Sequence, residues 1–131
     1  MEVLGMDHLV LTVASIESTV SFYRDVLGMR AETFGDGRWA LHFGDQKFNL
    51  HEAGHEFEPK AARPLPGSVD ICLVVATPID EVVTGLRQSG VPILEGPVDR
   101  TGARGPMRSV YLRDPDGNLV ELAHYARPAR D

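Results

Sequence analysis

Apolar and polar residues alternate in two runs of the chain, and the second run repeats the first at a fixed distance. Residues 8–13 alternate with period two, which is typical of a β-strand with one buried face. Residues 68–75 alternate in the same way, and Asp70 stands in this run where His8 stands in the first, 62 residues earlier. The repeat indicates two similar units of about sixty residues, each too short to bury a good core alone.

A stretch with the period of an amphipathic helix follows each alternating run. Ser15 is a suitable N-cap for the first helix, and Gly28 is a suitable residue to end it. For the second helix, the sequence predicts Thr77 as the N-cap and Pro78 at the first helical position. The glycines that follow the two helices, Gly28 and Gly90, are again 62 residues apart. The predicted helices cover about 16–26 and 78–89.

Three short strands are predicted after each helix, because strand-like segments alternate there with turn sequences. The strongest turn signal is the Asp-Pro-Asp-Gly-Asn sequence at 114–118. Residues 126–131 are expected to form a short irregular tail. The predicted strands lie near 30–34, 38–43 and 47–52 in the first half and near 92–95, 108–113 and 118–124 in the second.

This order of elements predicts an α+β protein built from two βαβββ modules. Each sheet buries one face beneath its helix, and the two remaining faces, curled together, would form a cup-shaped mixed sheet with a partly polar interior. We expect a single domain over residues 1–131. Its first module covers about 5–52, an irregular linker rich in Pro and Gly covers 53–67, and the second module covers about 68–125.

The composition is that of a soluble globular protein, with 43% hydrophobic and 24% charged residues among 131. A net charge of −6 argues against a protein that binds nucleic acids or anionic membranes. No apolar run reaches the length of a membrane span, and the N-terminus lacks the features of a signal peptide, so we expect a cytoplasmic protein. The single cysteine, Cys72, excludes an intrachain disulfide and is expected to pack as a small apolar residue.

The predicted interior of the cup carries a candidate metal site. The candidate ligands are His8, His51 and Glu121, with Asp70 as a fourth candidate. An isolated carboxylate on an apolar strand is costly without a partner, and a divalent cation is such a partner. The donor set suits Fe(II), Mn(II), Zn(II), Ni(II) or Co(II) without choosing among them. Strand periodicity equally allows these side chains to be solvated or paired with one another. The residues predicted on the interior faces are His8, Asn49, His51, Asp70, Cys72, Leu119 and Glu121.

Three segments resemble the vicinal oxygen chelate superfamily of glyoxalase I, fosfomycin-resistance proteins, bleomycin-resistance proteins and extradiol dioxygenases. They are residues 6–11 (Met-Asp-His-Leu-Val-Leu), 22–28 and 114–121 (Asp-Pro-Asp-Gly-Asn-Leu-Val-Glu). The last is the most specific, because it joins the hairpin turn to a metal-binding carboxylate of that family. Residues 44–51, 56–60 and 95–103 resemble a small single-domain subgroup described as glyoxalase-domain-containing, virulence-related or biphenyl-diol-dioxygenase-related proteins.

The resemblance implies paired βαβββ modules around a metal that binds two vicinal oxygens of a small molecule. His8 matches the ligand on the first strand and Glu121 the ligand on the last. His51 falls where the first module supplies its second ligand. Asp70 departs from the pattern, because glyoxalases and fosfomycin-resistance proteins usually have a histidine there. Asp70 is therefore a candidate general base, together with Glu121, or a residue outside the metal's own ligands.

Residues 100–105 (Arg-Thr-Gly-Ala-Arg-Gly) predict a flexible loop with two arginines. Arg100 and Arg104 are candidates for binding a carboxylate or phosphate of the substrate, and the loop could close as a lid. An ordinary exposed hairpin loop explains the same sequence equally well. Lys47 and Asn49 share the predicted face of His51 and are further candidate substrate contacts.

Two functions follow from these features. The first is a metal-dependent enzyme, either a lyase or isomerase of the glyoxalase type or a ring-cleaving dioxygenase. The second is a non-catalytic protein that binds an antibiotic-like small molecule, as some members of the resembled superfamily do. We expect a homodimer in either case, and the sequence leaves open whether one chain or two complete the site.

Overall fold

Residues 1–126, described here from a computed structural model, divide between two compact units, the first Met1–Ser68 and the second starting at Val69. Residues 127–131, which make up most of the predicted tail, lie outside the described residues.

The first unit has the predicted order of strand, helix and three strands. Its strands form one sheet in the order β1-β4-β3-β2, in which β1 and β4 are parallel and the other neighbours are antiparallel. All four predicted strands are confirmed, with β4 starting one residue early. The elements are β1 (His8–Val13), α1 (Ile16–Ser21), a π-helical turn (Phe22–Val26), β2 (Arg30–Phe34), β3 (Arg38–Phe43) and β4 (Gln46–Glu52).

The helix of this unit covers one face of the sheet. Leu11, Leu41 and Phe48, from three different strands, are at most 1% exposed. The ring of Tyr23 packs edge-on against Phe48 with ring centroids 5.6 Å apart. Because side chains alternate along a strand, this burial forces the intervening residues onto the opposite face.

The predicted cap and stop of the first helix are confirmed. The Ser15 side chain accepts a hydrogen bond from the backbone N–H of Ser18. The last turn is wide, and the N–H groups of Gly28 and Met29 donate to the carbonyls of Arg24 and Tyr23. Gly28 has a φ of 76°, a conformation that glycine adopts without steric cost.

The second unit repeats this architecture. Its sheet has the order β5-β8-β7-β6, with β5 and β8 parallel and the other neighbours antiparallel. Its core includes Leu73, Val83, Leu86, Val110 and Val120. The elements are β5 (Asp70–Val74), α2 (Ile79–Gln88), β6 (Glu95–Gly102), β7 (Gly105–Arg113) and β8 (Leu119–His124).

Two predictions about the second unit are wrong. Pro78, not Thr77, is the N-cap of α2, and its carbonyl accepts from the N–H groups of Glu81 and Val82. The strand predicted near 92–95 begins only at Glu95 and continues to Gly102. The Gly-Pro sequence at 96–97 is typical of a break in a strand. Here it lies in an edge strand, which tolerates proline, and the pairing register shifts between Glu95 and Val98.

The predicted arginine-rich loop is a tight hairpin. Gly102 pairs with Gly105 across the turn, and Arg100 lies within β6 opposite Met107. The prediction of a flexible loop over residues 100–105 is therefore wrong, because antiparallel pairing extends to the last residue before the turn, whereas the lid role stays a prediction. The alternative of an ordinary hairpin describes this segment.

The Asp-Pro-Asp-Gly-Asn turn joins β7 to β8 as predicted and also anchors β5. Asp114 and Asn118 are 5% and 2% exposed. The Asp114 carboxylate accepts from the backbone N–H groups of Asp116 and Asn118 and from the Asn118 side-chain amide. The side-chain amide oxygen of Asn118, Oδ1, accepts from the backbone N–H of Val69, next to β5. One buried side-chain pair thus fixes both the turn and the entry to β5, the parallel neighbour of β8.

No helix within residues 1–126 is long and apolar enough to cross a membrane.

We predict that Asp114→Ala lowers the free energy of unfolding by about 2–4 kcal/mol, because it leaves buried N–H groups without their charged acceptor. Urea denaturation measures this change. The matched control is Asp45→Ala in the exposed β3–β4 turn, which should change stability by less than about 0.5 kcal/mol. Equal stability losses in the two variants would contradict the anchoring role of Asp114.

Candidate functional site

The face of the first sheet that turns away from α1 carries the predicted site residues of this unit. The register pairs His8 with Lys47, Val10 with Asn49 and Thr12 with His51. Paired residues of neighbouring strands point to the same side, so all six lie on this face. His8, Lys47, Asn49 and His51 thus share one face, as predicted.

His8 is exposed at the start of β1 and is oriented by its neighbour. Its Nδ1 lies 2.7 Å from the Asp7 carboxylate, and this hydrogen bond to His8 lowers the pKa of Asp7. A carboxylate that accepts from one ring nitrogen fixes the tautomer and leaves the other, Nε2, free to bind a metal.

A cavity of about 150 Å³ lies on this face, within the first unit. His8 and His51 both line it, together with Asn49. Linker residues Phe57 and Pro59 also contribute to its wall, so the irregular segment after β4 does more than connect the modules.

His51 is 7% exposed, and its Nδ1 is buried without a hydrogen-bond partner among residues 1–126. Its ring packs edge-on against Phe57 at 5.6 Å between centroids. Burial lowers the pKa of His51, and the positive charge of Arg38 lowers it further against the opposing charges of Glu56 and Glu58. A lowered pKa keeps the imidazole neutral near pH 7, which is the form that accepts a hydrogen bond or binds a metal.

The strand register adds Asn49 to the candidate ligands. Asn49 lies two residues beyond the partner of His8, and Glu121 lies two residues beyond the partner of Asp70. Asn49 is therefore the counterpart of Glu121, while His51 is four residues from the His8 partner, about 13 Å along the strand. The Oδ1 atom of Asn49 is also buried without a hydrogen-bond partner in the described part of the chain.

The second sheet presents Glu121 on the equivalent face. Register pairs Glu121 with Cys72 on one side and with Tyr111 on the other, and Asp70 lies diagonally across at the start of β5. The Oε2 atom of Glu121 is buried and has no hydrogen-bond partner within residues 1–126. Asp70 is exposed. The two candidate carboxylates thus share a face, with Glu121 the more enclosed.

Cys72 is exposed rather than packed as an apolar core residue, which corrects the prediction. It lies on the sheet face opposite the core, where alternation places its pair partner Glu121. Partial burial of the thiol raises the pKa of Cys72 to about 11, and the negative charge of Glu121 adds to this shift.

The remaining predicted substrate contacts already have partners. Arg100 donates to the Tyr111 hydroxyl at 2.9 Å and to the Glu95 carboxylate at 2.8 Å, on the same face as Glu121. The Arg104 guanidinium stacks on Tyr125 at 4.3 Å. The Lys47 ammonium lies 4.0 Å above the Phe34 ring. Their roles as substrate contacts stay predictions.

Sequence reasoning missed Arg38 and Phe57. The Arg38 guanidinium lies 4.2 Å above the Phe57 ring, and both residues line the cavity. Alternation along β3 would have placed Arg38 on the site face, because it is two residues from Ala40, the pair partner of Asn49. Nothing in the sequence indicates that Phe57, in the irregular linker, folds back over His51.

Among residues 1–126, no group of three or more His, Cys, Asp or Glu side chains is arranged to hold a metal ion. His8 and His51 belong to the first unit and Glu121 to the second, and each is described within its own unit. The three-ligand site stays a prediction.

We predict that Glu121→Gln speeds alkylation of Cys72 by iodoacetamide near pH 8 in the presence of a chelator. Removing the negative charge lowers the thiol pKa, and one pKa unit is about tenfold in thiolate. Because burial is the larger cause and remains, the gain should stay below about tenfold. Glu95→Gln, on the edge strand of the same sheet, is the control and should leave the rate unchanged. A wild-type rate in Glu121→Gln would contradict the proximity of the two side chains.

Comparison with known proteins gives relatives over nearly the whole chain. The chain is 57% identical over 120 residues to virulence protein STM3117 of Salmonella typhimurium, covering 92% of this chain and 83% of that protein. The crystal structure of STM3117 matches with a TM-score of 0.94 at 55% identity, over 96% of this chain and 100% of that one.

Two further relatives have names that include a domain type or an activity. Glyoxalase domain-containing protein RDO1 of Mycosarcoma maydis is 50% identical over 125 residues, which cover 95% of this chain and 70% of that protein. Metallothiol transferase FosB of Shouchella clausii is 27% identical over 136 residues, which cover 97% of this chain and 90% of that protein.

The family model described as the glyoxalase/bleomycin resistance protein/dioxygenase superfamily matches residues 5–122. This match agrees with the two βαβββ units and with the STM3117 structure. The chain therefore belongs to the glyoxalase/bleomycin resistance protein/dioxygenase superfamily.

Proposed function

We propose that this protein is a divalent-metal-dependent enzyme that acts on a small molecule through two oxygen atoms bound to the metal. The observation that carries the proposal is a set of buried polar atoms without hydrogen-bond partners among residues 1–126. His51 Nδ1 and Asn49 Oδ1 lie on the site face of the first unit, and Glu121 Oε2 lies on that of the second. Such atoms cost free energy unless a ligand or ion satisfies them.

His8 and Glu121 are the ligands with the strongest support. The hydrogen bond from His8 to Asp7 leaves one ring nitrogen free, as in many metal-binding histidines. Glu121 supplies a carboxylate oxygen that has no other partner in the described residues. Imidazole and carboxylate together suit Fe(II), Mn(II), Zn(II), Ni(II) or Co(II).

His51 remains the proposed third ligand, and the register makes Asn49 its rival. His51 is neutral near pH 7 and has an imidazole nitrogen without a partner, so it offers the better donor. Asn49 is nearer to His8 along the strands and is the counterpart of Glu121. A substitution at each position distinguishes them.

A metal bound by these residues would polarise a substrate oxygen and stabilise negative charge that develops on it. Asp70 lies on the same face as Glu121, is exposed and is free to accept a proton from the substrate. Lyase or isomerase chemistry and ring cleavage both use these elements, and the identity of the metal separates them. The name of FosB, metallothiol transferase, is consistent with metal-dependent chemistry in this superfamily.

We predict that wild-type protein binds about one metal ion per chain, and that His8→Ala and Glu121→Ala each weaken binding by at least about 100-fold, since lost outer-shell contacts alone cost about 10–100-fold. Calorimetric titration of untagged, chelator-treated protein measures this. His55→Ala, which removes an exposed linker histidine, is the control and should bind as wild type does. Wild-type protein that takes up none of the five cations would overturn the proposal and favour the non-catalytic binding function.

Mixing the two inactive variants tests whether one chain or two complete the site. If two copies share each site, random mixing of His8→Ala and Glu121→Ala restores about a quarter of an ion per chain, because half of the dimers then hold one intact site. If each chain holds its own site, the mixture binds none.

The third ligand is tested by His51→Ala against Asn49→Ala. We expect His51→Ala to weaken metal binding by at least about tenfold and Asn49→Ala to have the smaller effect. Calorimetry with the metal that wild-type protein binds most tightly provides the measurement. The reverse order would assign the position to Asn49 and exclude His51 as a ligand.

A further inference from the structure

We propose that Arg38 binds the carboxylate of a small organic acid, and that compounds of this class are the natural ligands of the first-unit cavity. The inference rests on the proposed function, because it assigns the ligand class of the same cavity. Arg38 lies outside the predicted set of substrate contacts and differs from the neighbouring cations in its charge environment.

Arg38 is half-buried at the start of β3 and lines the cavity with His8 and His51. Its guanidinium forms no salt bridge or hydrogen bond within residues 1–126, and its contact is the face of Phe57 at 4.2 Å. The neighbouring cations differ, since Arg30 pairs with Glu32 and Lys60 with Glu58. Arg38 is therefore a cavity-lining cation without a salt-bridge partner among the described residues.

Stacking on Phe57 prepares Arg38 for an anion. A guanidinium held over an aromatic ring loses less conformational freedom on binding and leaves N–H groups available. The positive charge of Arg38 reaches the cavity, because its side chain lines the wall together with His51. An anionic group placed there would satisfy this charge.

The charge of the cavity favours a carboxylate over a phosphate. A single unpaired guanidinium matches a monovalent planar anion through two parallel hydrogen bonds. A phosphate dianion would require further cations to balance its charge, and the neighbouring Lys60 already forms a salt bridge with Glu58. The cavity has a volume of about 150 Å³, and a second space of about 240 Å³ shares Val10, His51 and Pro59 with it.

The position of Arg38 also orients the ligand. Arg38 and His51 lie at one end of the site face, and His8 lies four residues away along the paired strands. A molecule whose carboxylate rests on Arg38 extends past Asn49 towards His8. Its remaining oxygens then face the residues proposed to bind the metal.

The test uses benzoate and its neutral isostere benzamide as probes of chelator-treated, full-length protein, with binding followed by NMR titration. We expect saturable benzoate binding in wild-type protein and binding of benzamide weaker by at least about fivefold, as for charge-assisted against neutral hydrogen bonds. In Arg38→Gln the preference for benzoate should disappear. Arg38→Lys keeps the charge without the planar fork and should retain only part of the preference.

Arg30→Gln is the matched control, because it removes a paired arginine from the neighbouring strand and should leave the preference intact. Equal affinity for the two probes in wild-type protein, or an unchanged preference in Arg38→Gln, would overturn the inference. Metal titration of the same samples separates the two proposals. If wild-type protein prefers benzoate but binds no metal, the carboxylate site is retained and the metal-dependent function is overturned. If it binds metal without preferring benzoate, the metal-dependent function is retained and the carboxylate site is overturned.

Discussion

Burial of one face of each four-stranded sheet beneath its own helix is the constraint on which the rest of the structure depends. In the first unit this burial fixes Leu11, Leu41 and Phe48 inward at 1% exposure or less. Side chains alternate along a strand, so the residues between them must occupy the other face. His8, Asn49 and Arg38 lie on that face as a direct consequence. A slip of one residue in any strand would move these groups into the core.

The pairing of the first and last strands of each unit sets the spacing of the chemical groups. In both units these strands are parallel neighbours, and the Asp114–Asn118 pair fixes their alignment in the second unit through Val69. Buried polar atoms without hydrogen-bond partners among residues 1–126 lie on the last strand of each pair, which is unfavourable for an isolated sheet and useful for a binding site. The stability of each unit thus comes from one sheet face, and its proposed chemistry belongs to the other.

The linker between the modules adds a wall that neither sheet supplies. Phe57 packs against His51 on one side and Arg38 on the other, so a single aromatic ring holds a buried imidazole and a free cation at fixed positions. The pKa of His51 is lowered, and Arg38 forms no salt bridge within residues 1–126, although Glu58, which pairs with Lys60, also lines the cavity. This combination favours an anionic ligand at the Arg38 end of the cavity. Beside it, the neutral imidazole of His51 can bind an ion or accept a hydrogen bond.

Sequence alone determined the order of elements, the two modules and the shared face of His8, Asn49 and His51, because hydrophobic periodicity and turn residues are local properties of the chain. It did not determine which residue corresponds to Glu121. Glu121 follows Asp70 by 51 residues while Asn49 follows His8 by 41, and the longer hairpin of β6 and β7 accounts for about half of the difference. Only the hydrogen-bonded register revealed that correspondence. Tertiary structure likewise decided that Arg38 stacks on Phe57 and that Arg100 pairs with Glu95 and Tyr111, since contacts between distant segments depend on packing and not on local pattern.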